Sequence, residues 1–144
     1  MSEVSILGDG LRLTLTVNGY ERARRGEHYD DNWLRGSVSL EIAAASATFS
    51  ALCDIAWQTT DLSRFEQALT TLLGDLTGVA NLSTLEDQVE LTIRLTAGRG
   101  SIEGRLQARD AIASVAFTAP TDQSLMGQTL LDLRQINETY PVRR

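Results

Sequence analysis

The side chains best suited to chemistry in this 144-residue chain are few. There is one imidazole, His28, and one thiol, Cys53. A nucleophilic pair needs the two to meet, with the thiol in an electropositive setting. Cys53 instead falls on the apolar side of an alternating run with Phe49, Ile55 and Trp57, which suits a small core residue. Adjacent carboxylates occur at Asp30-Asp31 and Glu86-Asp87. Neighbours on a strand point to opposite faces, so adjacency argues against a shared acid/base site. The sequence has no CxxC, HxH or HExxH spacing for a metal and no Gly-x-Ser-x-Gly elbow. Gly98-x-Gly100-x-x-x-Gly104 lies in a hairpin pattern, not between a strand and a helix, so it is not a phosphate cradle. No catalytic residue, metal or cofactor is expected.

The densest grouping is Tyr29-Asp30-Asp31-Asn32-Trp33-Leu34, in a chain whose aromatic content is only 6%. Two readings fit it. In one, Asp30, Asp31 and Asn32 accept backbone N–H bonds of the loop while Trp33 and Leu34 anchor it onto the core. On that frame Arg22, Arg24, Arg25 and Tyr29 would be presented. In the other reading the loop itself is exposed for recognition, and its aromatic, Arg and acidic side chains form the binding patch.

The elements that position these residues follow from periodicity. Leu11, Leu13, Leu15 and Val17 alternate with polar residues, as a half-exposed strand does. Asn18 to Asp31 reads as a polar loop. Alternation resumes through Leu34, Val38, Leu40 and Ile42, turns at Ala43-Ala44-Ala45-Ser46, and continues from Ala47 to Trp57. The period then becomes helical at Leu62, Phe65, Leu69, Leu72 and Leu73, with Thr60 or Asp61 as cap, Ser63 with Glu66 as a second capping frame, and Gly74 as C-terminal stop. Strands return near Val79 to Leu85, Val89 to Leu95, Ile102 to Ala108 and Ala113 to Phe117. A second helix carries Leu125, Leu130, Leu133 and Ile136 and ends before Pro141. A slide of 61 residues superposes Thr60-Asp61-x-Ser63 on Thr121-Asp122-x-Ser124. That match reads either as an internal duplication of strands plus helix or as shared cap chemistry. The expected fold is α+β: one domain over 1–144, with a bent antiparallel sheet of about six to eight strands and two helices on one face.

Charge narrows the partners. Net charge is −6 and every basic residue is Arg. The acid excess lies between Asp54 and Glu90, with Arg64 the one base there. A nucleic-acid binder would carry the opposite sign. An acidic surface attracts a basic protein, with Asp61, Glu66, Asp75, Glu86, Asp87 and Glu90 as candidate contacts; a solvated surface that keeps the protein soluble is the plainer alternative. No apolar run reaches membrane-spanning length, no export signal opens the chain, and a single Cys fits a reducing compartment, so the cytoplasm is expected.

Asn18-Gly19-Tyr20-Glu21, a short polar loop, and then Tyr29-Asp30-x-Asn32-Trp33-Leu34 resemble the WapI-type immunity proteins of bacteria. The resemblance extends more loosely along most of the chain, through Ser83-x-Leu85-Glu86 and Asp122-x-Ser124. It implies a non-enzymatic antidote to a cognate toxin domain, whose archetype is a nuclease acting on tRNA. It makes Tyr20, Tyr29, Asp30, Asn32, Trp33 and Leu34 structural hallmarks and names no catalytic residue. Two other classes remain open from the residues alone: a small enzyme or ligand-binding domain with a pocket near the Trp33 loop, and a homodimerising structural module.

Overall fold

The computed structural model describes residues 2–23, 26 and 31–143. Its chain order is β1 (Ser2–Gly8), β2 (Leu11–Tyr20), β3 (Trp33–Ala43), β4 (Thr48–Gln58), α1 (Thr59–Asp75), β5 (Gly78–Ser83), β6 (Val89–Thr96), β7 (Arg99–Gln107), β8 (Ser114–Asp122) and α2 (Gln123–Thr139). The fold is α+β, and all strand pairings among the described residues are antiparallel. The eight strands form two four-stranded meanders, β1-β2-β3-β4 and β5-β6-β7-β8, where the periodicity led us to expect one bent sheet. The physical reason is the route of the chain. Helix α1 leaves the end of β4 and packs against β5, so β5 does not extend the β4 ladder.

The sheets meet again at β1 and β8. Asp9 N–H donates to Pro120 O at 2.8 Å, and Thr121 Oγ1 donates to Leu7 O at 2.8 Å. Gly8 permits this approach, because a Cβ there would stand 2.9 Å from Pro120 O. Helix α2 packs against β1, and the two helices pack against each other. One apolar cluster draws Leu13, Leu15, Leu34 and Trp57 from the first sheet, Leu91, Ile93 and Ile102 from the second, and Phe65, Leu69, Leu133 and Ile136 from the helices. Alternation explains the strands: Leu11, Leu13, Leu15 and Val17 are buried while Arg12 and Asn18 are exposed.

Each half is thus a four-strand meander followed by a 17-residue helix. Thr59–Asp75 falls on Gln123–Thr139 under a shift of 64 residues, not the 61 of the sequence match. The same shift carries buried Leu62, Phe65, Leu69 and Leu72 onto buried Met126, Thr129, Leu133 and Ile136. The difference lies in the caps. Asp61 sits three residues inside α1 and accepts the N–H of the cap residue Gln58 at 2.9 Å. Asp122 is itself the cap of α2 and accepts Ser124 N–H at 2.8 Å. Similar short motifs therefore occupy different cap positions. The stop also moves: Leu76 takes the left-handed turn that ends α1, at φ 59°, and Gly74 lies within the helix. No helix among the described residues is long and apolar enough to cross a membrane.

Candidate functional site

Two of the motif residues, Asn32 and Tyr20, meet the C-terminal tail. Asn32, only 3% exposed, stands immediately before β3. Its Oδ1 accepts Thr59 Oγ1 at 2.7 Å and Arg143 N–H at 2.6 Å, and its Nδ2 donates to Arg143 O at 2.8 Å. The side-chain amide thus matches both polar groups of one backbone residue, as a neighbouring strand would. Asn32 O also accepts Thr59 N–H at 2.9 Å. Tyr20 closes on the same tail. Its hydroxyl donates to Pro141 O at 2.6 Å, its ring meets Tyr140 edge to face, and the Arg143 guanidinium stacks 3.3 Å above its centroid. Arg143 reaches back further and donates to Arg22 O at 3.1 Å.

Asp31, also buried, accepts Gly26 N–H at 2.8 Å. Leu34 is fully buried, whereas Trp33 is only partly so. The fully buried indole is Trp57, which lies opposite Leu34 in the β3–β4 ladder. Tyr29, Asp30, Arg24, Arg25 and His28 lie outside the described residues. Asn32, Thr59 and Arg143 therefore form a joint between three distant parts of the chain. Their polar atoms are turned on one another, so the arrangement is a clamp.

The acidic candidates are dispersed. Asp61 and Asp87 line one small groove between the start of α1 and the β5–β6 turn. Burial pushes the Asp61 carboxyl up from its ordinary value, against the Gln58 N–H and the Arg64 charge, which pull it down. Glu66 Oε1 accepts Asn137 Nδ2 at 2.9 Å, a link between the helices. Asp75 stands at the far end of α1. Glu86 pairs with Arg109 at 3.6 Å and Glu90 with Arg105 at 3.4 Å. Cys53 is partly buried beside the core, and burial, with Asp54 beside it, pushes its thiol up. That holds the thiol in its protonated, weakly nucleophilic form.

A model of the immunity protein WapI-like family matches residues 5–141. The chain belongs to that family. No curated protein and no solved structure matches it. The WapI-like match spans both meanders and both helices, so it covers the clamp up to Pro141.

Sequence reasoning missed Thr59, Tyr140, Pro141 and Arg143, because no local signal marks a partner 111 residues away from Asn32. It placed Phe49 on the apolar side of its strand, whereas that ring is 57% exposed near the open end of the sheet, and it passed over Leu52, which is 74% exposed. One signal was available: Leu52 interrupts the polar face of its strand, in a stretch from Thr48 to Cys53 with no charge.

Proposed function

We propose that this WapI-like chain is a non-enzymatic antidote that binds and neutralises a cognate bacterial toxin domain inside the cytoplasm. The family match over residues 5–141 carries the reading. The clamp supports it, since Asn32 and Tyr20 hold the tail and the motif so serves as frame. The acid excess between Asp54 and Glu90 would speed encounter with a basic toxin, such as a nuclease, in a salt-sensitive way. In that role Asp75, Glu86, Asp87 and Glu90 act at the surface, while Asp61 and Glu66 contribute through the fold's overall field.

The test is co-expression with a toxin domain encoded beside this chain's gene. The expected outcome is restored growth and a stoichiometric complex of the two purified proteins. Failure to protect and failure to bind would together overturn the reading. Reversing Asp75, Glu86 and Asp87 should slow association and flatten its salt dependence, with little change in the dissociation rate.

A further inference from the structure

Strand edges are ready-made templates for another chain, and proteins close or blunt them. Here β1 is closed: Ser5 O accepts Thr129 Oγ1 at 2.7 Å, Leu7 O accepts Thr121 Oγ1, and Asp9 N–H reaches Pro120 O. Helix α1 packs against β5. Strand β8 meets β1 at Pro120, which has no N–H to offer, and the rest of its edge carries only the small exposed residues Ser114, Ala116 and Thr118. Strand β4 differs. Ala44 N–H donates to Ala47 O and Thr59 N–H to Asn32 O, each at 2.9 Å and each in the register of the β3–β4 ladder. Odd-numbered β4 residues therefore bond to β3, and even-numbered ones turn N–H and C=O to the edge. Asp54 O fits this parity, since it accepts Gln88 Nε2 at 3.1 Å from outside the ladder. That bond closes the far end. Thr48, Ser50 and Leu52 keep an open edge among the described residues.

Exposed Phe49 and Leu52 flank this edge on opposite faces. Beside it lies a groove of about 590 Å³, lined by Leu7, Leu11, Ile42, Phe49 and Leu125. Arg12 and Glu41 also line it and sit opposite each other on β2 and β3. With no charge from Thr48 to Cys53, the edge offers an incoming chain backbone hydrogen bonds and apolar contact. We propose that the open edge of β4 takes up an extended, uncharged segment of the toxin domain as an added strand, with an apolar side chain of that segment seated in the groove beside Phe49. Main-chain bonds then supply affinity, and the groove selects the side chain. This rests on the antidote reading above.

The decisive variant is Ser50→Pro. It removes one edge N–H and obstructs the incoming strand while leaving the β3 ladder intact. Toxin affinity should fall about tenfold or more, with the melting temperature unchanged. Ser114→Pro, at the same place on β8 under the 64-residue shift, should leave affinity at the wild-type level. If Ser50→Pro does not fold, the double variant Phe49→Ser, Leu52→Ser carries the test, because both side chains are exposed; the same loss is expected. A folded Ser50→Pro or double variant that binds the toxin as wild type does would overturn the inference and leave the antidote reading standing. The inference would also fall if the wild type sedimented as a dimer, Ser50→Pro as a monomer, and toxin affinity stayed unchanged. The occupant of the edge would then be a second copy of this chain. If the wild type forms no toxin complex at all, both readings fall.

Discussion

The two halves of the molecule enter their helices through the same joint and furnish it differently. Thr59 N–H donates to Asn32 O in the first half, and Gln123 N–H donates to Gly98 O in the second. The backbone bond is common to both, but Asn32 adds a side chain that grips Arg143, whereas Gly98 adds none. Gly98 takes a φ of +83°, and a Cβ on it would press on the Gln123 side chain. One step earlier the contrast recurs. Trp57 near the end of β4 corresponds to Thr121 near the end of β8. The indole fills the core, while the threonine hydroxyl reaches across to β1. Farther back, Cys53 corresponds to Phe117 and Leu52 to Ala116. The second half turns its large ring inward and keeps its edge small. The first half keeps the inner position small and carries Phe49 and Leu52 outward. One meander thus completes the core and closes on its neighbour; the other holds the tail and leaves an apolar edge in solvent.

The largest effect should come from the buried indole. Trp57→Ala removes a fully buried ring and should lower unfolding free energy by about 3–5 kcal/mol. Thr121→Ala, its counterpart, loses one cross-sheet hydrogen bond and should cost about 1 kcal/mol. Urea titrations of the two variants measure the asymmetry directly. Equal losses would mean that the halves do not differ in how they fill the core. Trp57 Nε1 is buried without an acceptor, so Trp57→Phe should cost less than the lost volume alone implies.

Next comes the clamp. Asn32→Ala leaves Thr59 Oγ1 and both polar groups of Arg143 without their partner. It should cost about 3 kcal/mol and expose the tail after Thr139 to proteases. A Gly98→Ala change tests the other joint through backbone strain instead, and should leave the tail protected. Tail cleavage in both variants, or in neither, would separate Asn32 from the role given to it. Trp33→Ala should follow at roughly 1–2 kcal/mol, because that ring is only partly buried.

What periodicity revealed, and what it hid, follows the same divide. Leu62, Phe65, Leu69 and Leu72 announce a helix face, and Leu11 to Val17 announce a strand, because each pattern is local. The split into two sheets depends on where α1 lands after β4, a tertiary event with no period of its own. Asn32 stood out by type and neighbourhood, yet its partners lie at the other end of the chain. The acidic candidates were legible as charge but not as a surface, since Asp61 and Glu66 turn out to hold the helices. The open edge of β4 was hidden because Leu52 reads as noise on a polar face until the strand is known to be at an edge.

The smallest effect is the most specific to the comparison, because it predicts opposite signs. Asp61, inside α1, is pushed above the ordinary aspartate range chiefly by burial. Its protonated form suits the fold, so its contribution is fully present below the ordinary value of about 3.9 and fades as pH rises through the raised value. Asp122, the cap of α2, is held below that range, first by the Ser124 hydroxyl and then by the Ser124 N–H. Its contribution is present above the ordinary value and is lost as pH falls through the depressed one. Asp61→Asn keeps an acceptor for Gln58 N–H and removes the buried charge. The stability of wild type relative to Asp61→Asn should therefore decline with rising pH across the window just above about 3.9. Relative to Asp122→Asn, wild type should gain with rising pH across the window just below it. Denaturant titrations at closely spaced pH values would show the two trends. Parallel trends would mean that the two aspartates play the same part, and that the 61-residue match marks equivalent positions after all.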